Sequence, residues 1–201
     1  DRIIANYSAA DLAGKAANKA ELQKMMGLRE DANTPILAIV SRLVSHKGVD
    51  LIVEITRQLL DTHPDLQFVV LGTGEARYEA WFRQLENDYH DRVRSFIMYN
   101  RGLSKKIYAA ADLFLMPSVA EPCGLSQMIA MRYGSSPIVR ATGGLSDTVS
   151  HFDGENGTGF IGVEISAERA GIVDVVHCEA LDTDGAFSYP NNVVTRLHIP
   201  A

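Results

Sequence analysis

Two cations stand five residues apart in Ser41-Arg42-Leu43-Val44-Ser45-His46-Lys47-Gly48, directly after a short apolar run. Arg42 offers a planar fork of donors and Lys47 a mobile point charge, so together they could neutralise the two negative groups of a departing nucleoside diphosphate. A solvated basic loop is the alternative, since surface Arg and Lys are common. Gly48 leans toward a ligand, because a glycine lets backbone come close. A carboxylate of equal interest is Glu121, in Pro117-Ser118-Val119-Ala120-Glu121-Pro122-Cys123-Gly124-Leu125-Ser126-Gln127. Pro122 keeps Glu121 out of helical angles, and Gly124 lies where a helix through Leu125, Met128 and Met131 begins. That arrangement aims Glu121 into a crevice and leaves the N–H groups of Gly124, Leu125 and Ser126 for sugar hydroxyls or a distal phosphate. Glu121 as a simple helix cap is the other reading.

Three further loops carry weaker signals. Gly72-Thr73-Gly74-Glu75 is a glycine turn before a helix, which fits either a phosphate or sugar contact or an ordinary tight turn. Tyr99, after an apolar run, could cover one face of a purine base or simply pack. Gly143 and Gly144, in Ala141-Thr142-Gly143-Gly144-Leu145-Ser146-Asp147, let backbone crowd a ligand or a neighbouring loop. Asp182 and Asp184 read better as a solvated turn than as metal ligands, so no metal site is expected.

These loops are useful only if the chain brings them to one edge, and its alternation does so. A helix runs from the Ser8–Asp11 start to Met26. Strands are expected at Ile36–Val40, Gln67–Leu71, Val93–Met98, Leu113–Met116 and Pro137–Val139. Helices fall between them, at Val49–Leu60, Glu75–Tyr89, Ser104–Ala111 and Leu125–Tyr133. Strand–helix alternation calls for right-handed crossovers and parallel pairing, hence an α/β fold with a doubly wound parallel sheet. In such a sheet ligands bind at the carboxyl ends of the strands, and all five loops lie there. Together they argue for a nucleotide-sugar crevice. The 201 residues, 46% hydrophobic, suffice for one domain, and a net charge of −6 disfavours nucleic acid and anionic membranes as partners. Two cysteines, Cys123 and Cys178, are too few for a disulfide framework and fit a reducing compartment. No apolar run approaches the ~20 residues that span a bilayer. The start at Asp1, without a methionine, suggests a piece of a longer polypeptide.

Taken together, Ser41-Arg42-Leu43 with Lys47-Gly48, Leu71-Gly72-Thr73-Gly74-Glu75, Glu121 to Gln127 and Thr142-Gly143-Gly144-Leu145 resemble bacterial glycogen synthases and plant starch synthases. Tyr7-Ser8, Asp11-Leu12, Gly14-Lys15, Asn18-Lys19 and Leu22-Gln23 are similar to the domain-linking segment of that family. The resemblance covers residues 1–161 and implies the second, Rossmann-like half of a GT-B glycosyltransferase. Residues 1–30 would be the interdomain linker helix, 31–161 the nucleotide-sugar-binding domain, and 162–201 a divergent C-terminal segment. The implied reaction is retaining transfer of glucose from ADP-glucose to the non-reducing end of an α-1,4-glucan, with ADP as product and no cofactor. By the same resemblance Arg42 and Lys47 bind the diphosphate, Tyr99 lies against adenine, and Glu121 meets the donor glucose. Cys123, Gly124, Leu125 and Ser126 would bind its hydroxyls and the distal phosphate. An N-terminal GT-B domain would be the partner, in the cytoplasm or, for a plant protein, the plastid stroma.

The chain departs from the family at His46, where Gln is usual, and at Ser126, where Thr is common. At Ile129 related transferases carry a second Glu, which the glycogen synthase branch also lacks. Nothing in Gly162–Ala201 matches, and Asp182-Thr183-Asp184-Gly185 and Tyr189-Pro190-Asn191-Asn192 read as turns. Another GT-B transferase, or a non-catalytic nucleotide- or glucan-binding module, are the competing assignments.

Overall fold

A computed structural model describes residues 3–8 and 10–149 in full, and residues 171–178 and 192–199 as backbone. Five strands, β1 (Ile36–Val40), β2 (Gln67–Leu71), β3 (Val93–Phe96), β4 (Leu113–Met116) and β5 (Ser136–Val139), pair in parallel in the order β3-β2-β1-β4-β5. Between and around them run α1 (Ala13–Met25), α2 (Val49–Thr62), α3 (Ala76–Asp88), α4 (Arg101–Ala110), α5 (Ser126–Arg132) and α6 (Gly143–Thr148). Successive strand residues face opposite sides. Ile36 and Ala38 therefore join one core with Leu22 of α1, Ile107 of α4 and Met131 of α5, whereas Leu37 and Ile39 join another with Ile52 of α2 and Phe82 of α3. Both faces of the central strands are covered, which is why β1 and β4 read as unbroken apolar runs, whereas the edge strand β3 carries Arg94 and Ser95 and is only partly buried. Chain order reverses between β1 and β4, so the loops after those strands diverge and open a crevice.

The parallel, doubly wound sheet expected from the alternation is present, with several differences. Strand β3 stops at Phe96, and α4 begins at Arg101 because the Asn100 side chain caps it, accepting from the Leu103 N–H at 2.9 Å. Beyond β5 the sheet continues with β6 (Gly171–Cys178), antiparallel to β5, and β7 (Asn192–Ile199), antiparallel to β6. The all-parallel expectation thus ends at β5. Asn192, read as a turn residue, opens β7; residues 182–185 and 189–191 lie outside the described residues. The missed signal is the β-branched content of residues 172–176 and 193–195, which favours strands.

Helix α1 is fastened to the domain by buried polar groups. Lys15 Nζ donates to the carbonyls of Ala109 (3.2 Å), Ala111 (2.8 Å) and Tyr133 (3.0 Å), and Tyr7 donates to Tyr133 O at 2.8 Å. These carbonyls lie at the C-terminal ends of α4 and α5, where helix carbonyls lack intrahelical donors, and Lys15 meets all three together with Tyr7 and Ser135. Burial lowers the Lys15 pKa to about 8, against the opposing pull of Asp112. Among the described residues no helix is long and apolar enough to cross a membrane.

Candidate functional site

At the carboxyl edge of the sheet the loops are stitched to one another through backbone. Leu43 N–H donates to Thr73 O (2.9 Å) and Glu75 N–H to Leu43 O (2.8 Å), joining the loops after β1 and β2. Val119 N–H donates to His46 O (2.9 Å) and Gly144 N–H to Glu121 O (2.8 Å), joining the loop after β4 to those after β1 and β5. Gly48 shows why glycine is required at such crossings. Its φ is 74°, and a Cβ there would overlap the Pro117 carbonyl. Gly72, Gly74, Gly143 and Gly144 likewise sit against the carbonyls of Ser41, Leu43, Glu121 and Cys123. For these four, the close approach that the sequence signalled is to a neighbouring loop.

Between the ends of β1, β2 and β3 lies an open cleft of about 230 Å³, lined by Arg42, Leu71, Gly72, Met98, Tyr99 and Ser126 among others. Tyr99 is 88% exposed at its rim, so its ring is not serving as core packing. Arg42 makes no ion pair among the described residues; its Nη2 lies 3.3 Å from His46 Nε2. A guanidinium can only donate, so the imidazole nitrogen accepts. An unpaired guanidinium facing an open cleft is equipped to meet an anion.

Lys47 and Glu121 form an ion pair across the switch point, bridging the loops after β1 and β4. The two side chains are only 18% and 10% exposed. Ser118, fully buried, donates to the same carboxylate oxygen, Glu121 Oε2, at 3.3 Å. Glu121 Oε1 has no hydrogen-bond partner among the described residues, and the side chain does not cap α5. The cap reading therefore falls away. A covered pair such as this holds each charge in place at the cost of desolvation, and removing one partner strands the other. Beside it, Gly124 takes φ 75°, Cys123 and Leu125 are exposed, and the N–H groups of Gly124 and Leu125 make no hydrogen bond among the described residues. Seven of the sequence-selected residues thus surround one stretch of edge: Arg42, Tyr99 and Ser126 on the cleft, Lys47 and Glu121 as a pair, and Cys123 and Gly124 in the adjoining turn.

Sequence reasoning overlooked the supports. Ser45, in the Arg42–Gly48 loop, donates from its N–H and its hydroxyl to Glu75 Oε1, both at 3.1 Å, and Arg77 Nε donates to Glu75 Oε2 at 3.0 Å. These donors, the Ser45 N–H foremost, hold the Glu75 carboxyl below the usual carboxylate range. Tyr78 donates to Asp50 in the same cluster, and burial followed by that bond raises its phenol pKa. Polar residues at a helix start were the available signal, but their partners lie some thirty residues away and periodicity does not reveal them. No group of three or more His, Cys, Asp or Glu that could hold a metal occurs among the described residues, and Asp182 and Asp184 lie outside them.

The fold is that of a glycosyltransferase domain. The chain belongs to the family described as glycosyl transferases group 1, which matches residues 21–181. It is 52% identical over 154 residues to a glycogen synthase of Clostridium beijerinckii and 49% identical over 157 residues to that of Bacillus subtilis. These matches cover 77% and 78% of this chain but 32% of each relative. Among solved structures it resembles the catalytic domain of starch synthase IV from Arabidopsis thaliana bound to ADP and acarbose, with TM-score 0.68 and 43% identity over 79% of this chain and 32% of that one. The sheet with its flanking helices is the Rossmann-like domain seen in GT-B glycosyltransferases. The chain spans about a third of the length of these relatives.

Proposed function

We propose that this chain is the donor-binding half of a retaining glucosyltransferase that moves glucose from ADP-glucose to the non-reducing end of an α-1,4-glucan. The observation that carries the reading is Arg42, which makes no ion pair among the described residues and lines the same cleft as the exposed Tyr99, with the covered Lys47–Glu121 pair on the neighbouring loops. In this reading Tyr99 lies on the adenine face, Arg42 and the remaining donors of Lys47 take the diphosphate, and the free N–H groups of Gly124 and Leu125 meet its distal phosphate. Glu121 Oε1 accepts from glucose hydroxyls, with Ser126 and the turn at Cys123 lining the sugar. As the bond from the anomeric carbon to the diphosphate oxygen breaks, negative charge grows on ADP and positive charge on the glucosyl centre. Arg42 and Lys47 stabilise the first, Glu121 the second, and both are fixed before reaction begins. The glucan, and the remaining catalytic groups, fall to the N-terminal GT-B domain that completes the relatives' length, with α1 as the linker. Cytoplasm, or plastid stroma in a plant, is the compartment proposed.

Side-chain cations neutralise the diphosphate in this scheme, so no cofactor takes part. The dissociation constant for ADP, measured by isothermal titration with Mg²⁺ and again with EDTA, is expected to change by less than about twofold. A loss of about tenfold or more on chelation, 1.4 kcal/mol, would show that a cation does what we assign to Arg42 and Lys47.

A further inference from the structure

We propose that Gln127 is a positioning residue that orients the peptide groups of the turn at Cys123–Leu125 so that two N–H groups face the ligand side; this rests on the nucleotide reading above. Gln127 is fully buried, on the inward stripe of α5 with Ala130 and Met131. Its Nε2 lies within hydrogen-bond distance of Cys123 O (3.2 Å), Gly124 O (3.0 Å) and Thr148 Oγ1 (3.0 Å), so its two hydrogens are shared among three acceptors. Thr148 in turn donates to Gly144 O at 2.6 Å, and Gly144 N–H donates to Glu121 O at 2.8 Å. One amide therefore ties the turn to α6, and α6 ties back to Glu121. The three acceptors around the nitrogen also fix which way the amide faces.

Orientation follows from peptide geometry. All peptide bonds described are trans, and in a trans peptide the C=O and the following N–H point in opposite directions. With the Cys123 and Gly124 carbonyls drawn inward to Gln127, the Gly124 and Leu125 N–H groups must point outward, to the side where Cys123 and Leu125 are exposed and Ser126 meets the cleft. Gly124 permits this with φ 75°, and a Cβ there would run into the Gln127 amide. Gln127 Oε1 is the second observation: it is buried with no hydrogen-bond partner among the described residues. An orphaned buried acceptor disfavours the fold, so a residue retained for packing alone would be better apolar. The amide's donors are what the turn uses.

The test compares ADP with AMP, because only ADP carries the distal phosphate that the two N–H groups would meet. By isothermal titration of the 201-residue chain, Gln127→Met is expected to weaken ADP by about tenfold or more while AMP changes less than about twofold, since the charge-assisted contacts of the two N–H groups to the distal phosphate are at stake. Thr148→Val, which keeps volume and removes the relay hydroxyl, should shift ADP in the same direction by a smaller factor, again sparing AMP. Retained AMP binding certifies a folded site in both variants. Parallel loss of ADP and AMP, or no loss of either, overturns the positioning role. A wild-type chain that binds neither nucleotide overturns the nucleotide reading itself.

Discussion

Glu121→Gln is expected to lower kcat by about a hundredfold or more in a two-domain enzyme carrying this half, the usual scale for losing one preorganised electrostatic contact. ADP affinity of the isolated half should not fall. The substitution keeps the shape and the Ser118 contact but removes the charge placed to favour a cationic glucosyl centre. It also releases Lys47 from its carboxylate, leaving that ammonium freer to meet phosphate. Kinetics and binding therefore separate: turnover falls, and the nucleotide is held as well as before or better. Equal losses in turnover and ADP affinity would instead make Glu121 a nucleotide ligand, and unchanged turnover would leave the pair a structural tie between two loops.

Arg42→Ala is expected to weaken ADP binding by about 1.5–3 kcal/mol, roughly 10- to 150-fold, the range for a hydrogen bond to a charged group. Arg42 has no ion pair among the described residues to surrender on binding, so its loss is not cushioned by a released partner. Arg42→Lys should recover only part of the affinity, because a point charge cannot reproduce the planar fork. Titration of both variants with ADP measures this. Wild-type affinity in Arg42→Ala would reduce the residue to a solvated loop cation.

Strands β1, β2 and β4 were legible because they are buried on both faces and read as short apolar runs between turn residues; β3, Val93-Arg94-Ser95-Phe96 at the sheet edge, is only partly buried, and its end was placed two residues too late. The loops were legible as sites because the topology sends all of them to one edge. The pairing of Lys47 with Glu121 was not legible, since the two lie far apart in the chain and meet only where β1 and β4 adjoin. Sequence reading therefore gave Lys47 to phosphate and Glu121 to sugar, while the structure shows the two paired with each other. The glycines were half legible. Their close approaches are real, but the backbone they meet is that of neighbouring loops. Gln127 stood inside the most distinctive string of the chain, yet its meaning depends on which carbonyls surround it. The β6–β7 pair was missed because the motifs quoted for the resemblance end by residue 161, although the family match runs on to residue 181, and the turn residues drew attention from the β-branched runs.

In the proposed function this domain grips the nucleotide of ADP-glucose at the edge formed by Arg42, Tyr99 and the Cys123–Ser126 turn. Isothermal titration of the 201-residue chain with ADP and UDP tests it most directly. The exposed Tyr99 face offers a purine more overlap than a pyrimidine, so saturable one-to-one binding of ADP, tighter than that of UDP, is the predicted result. No binding of ADP, or UDP bound as tightly as ADP, would contradict it.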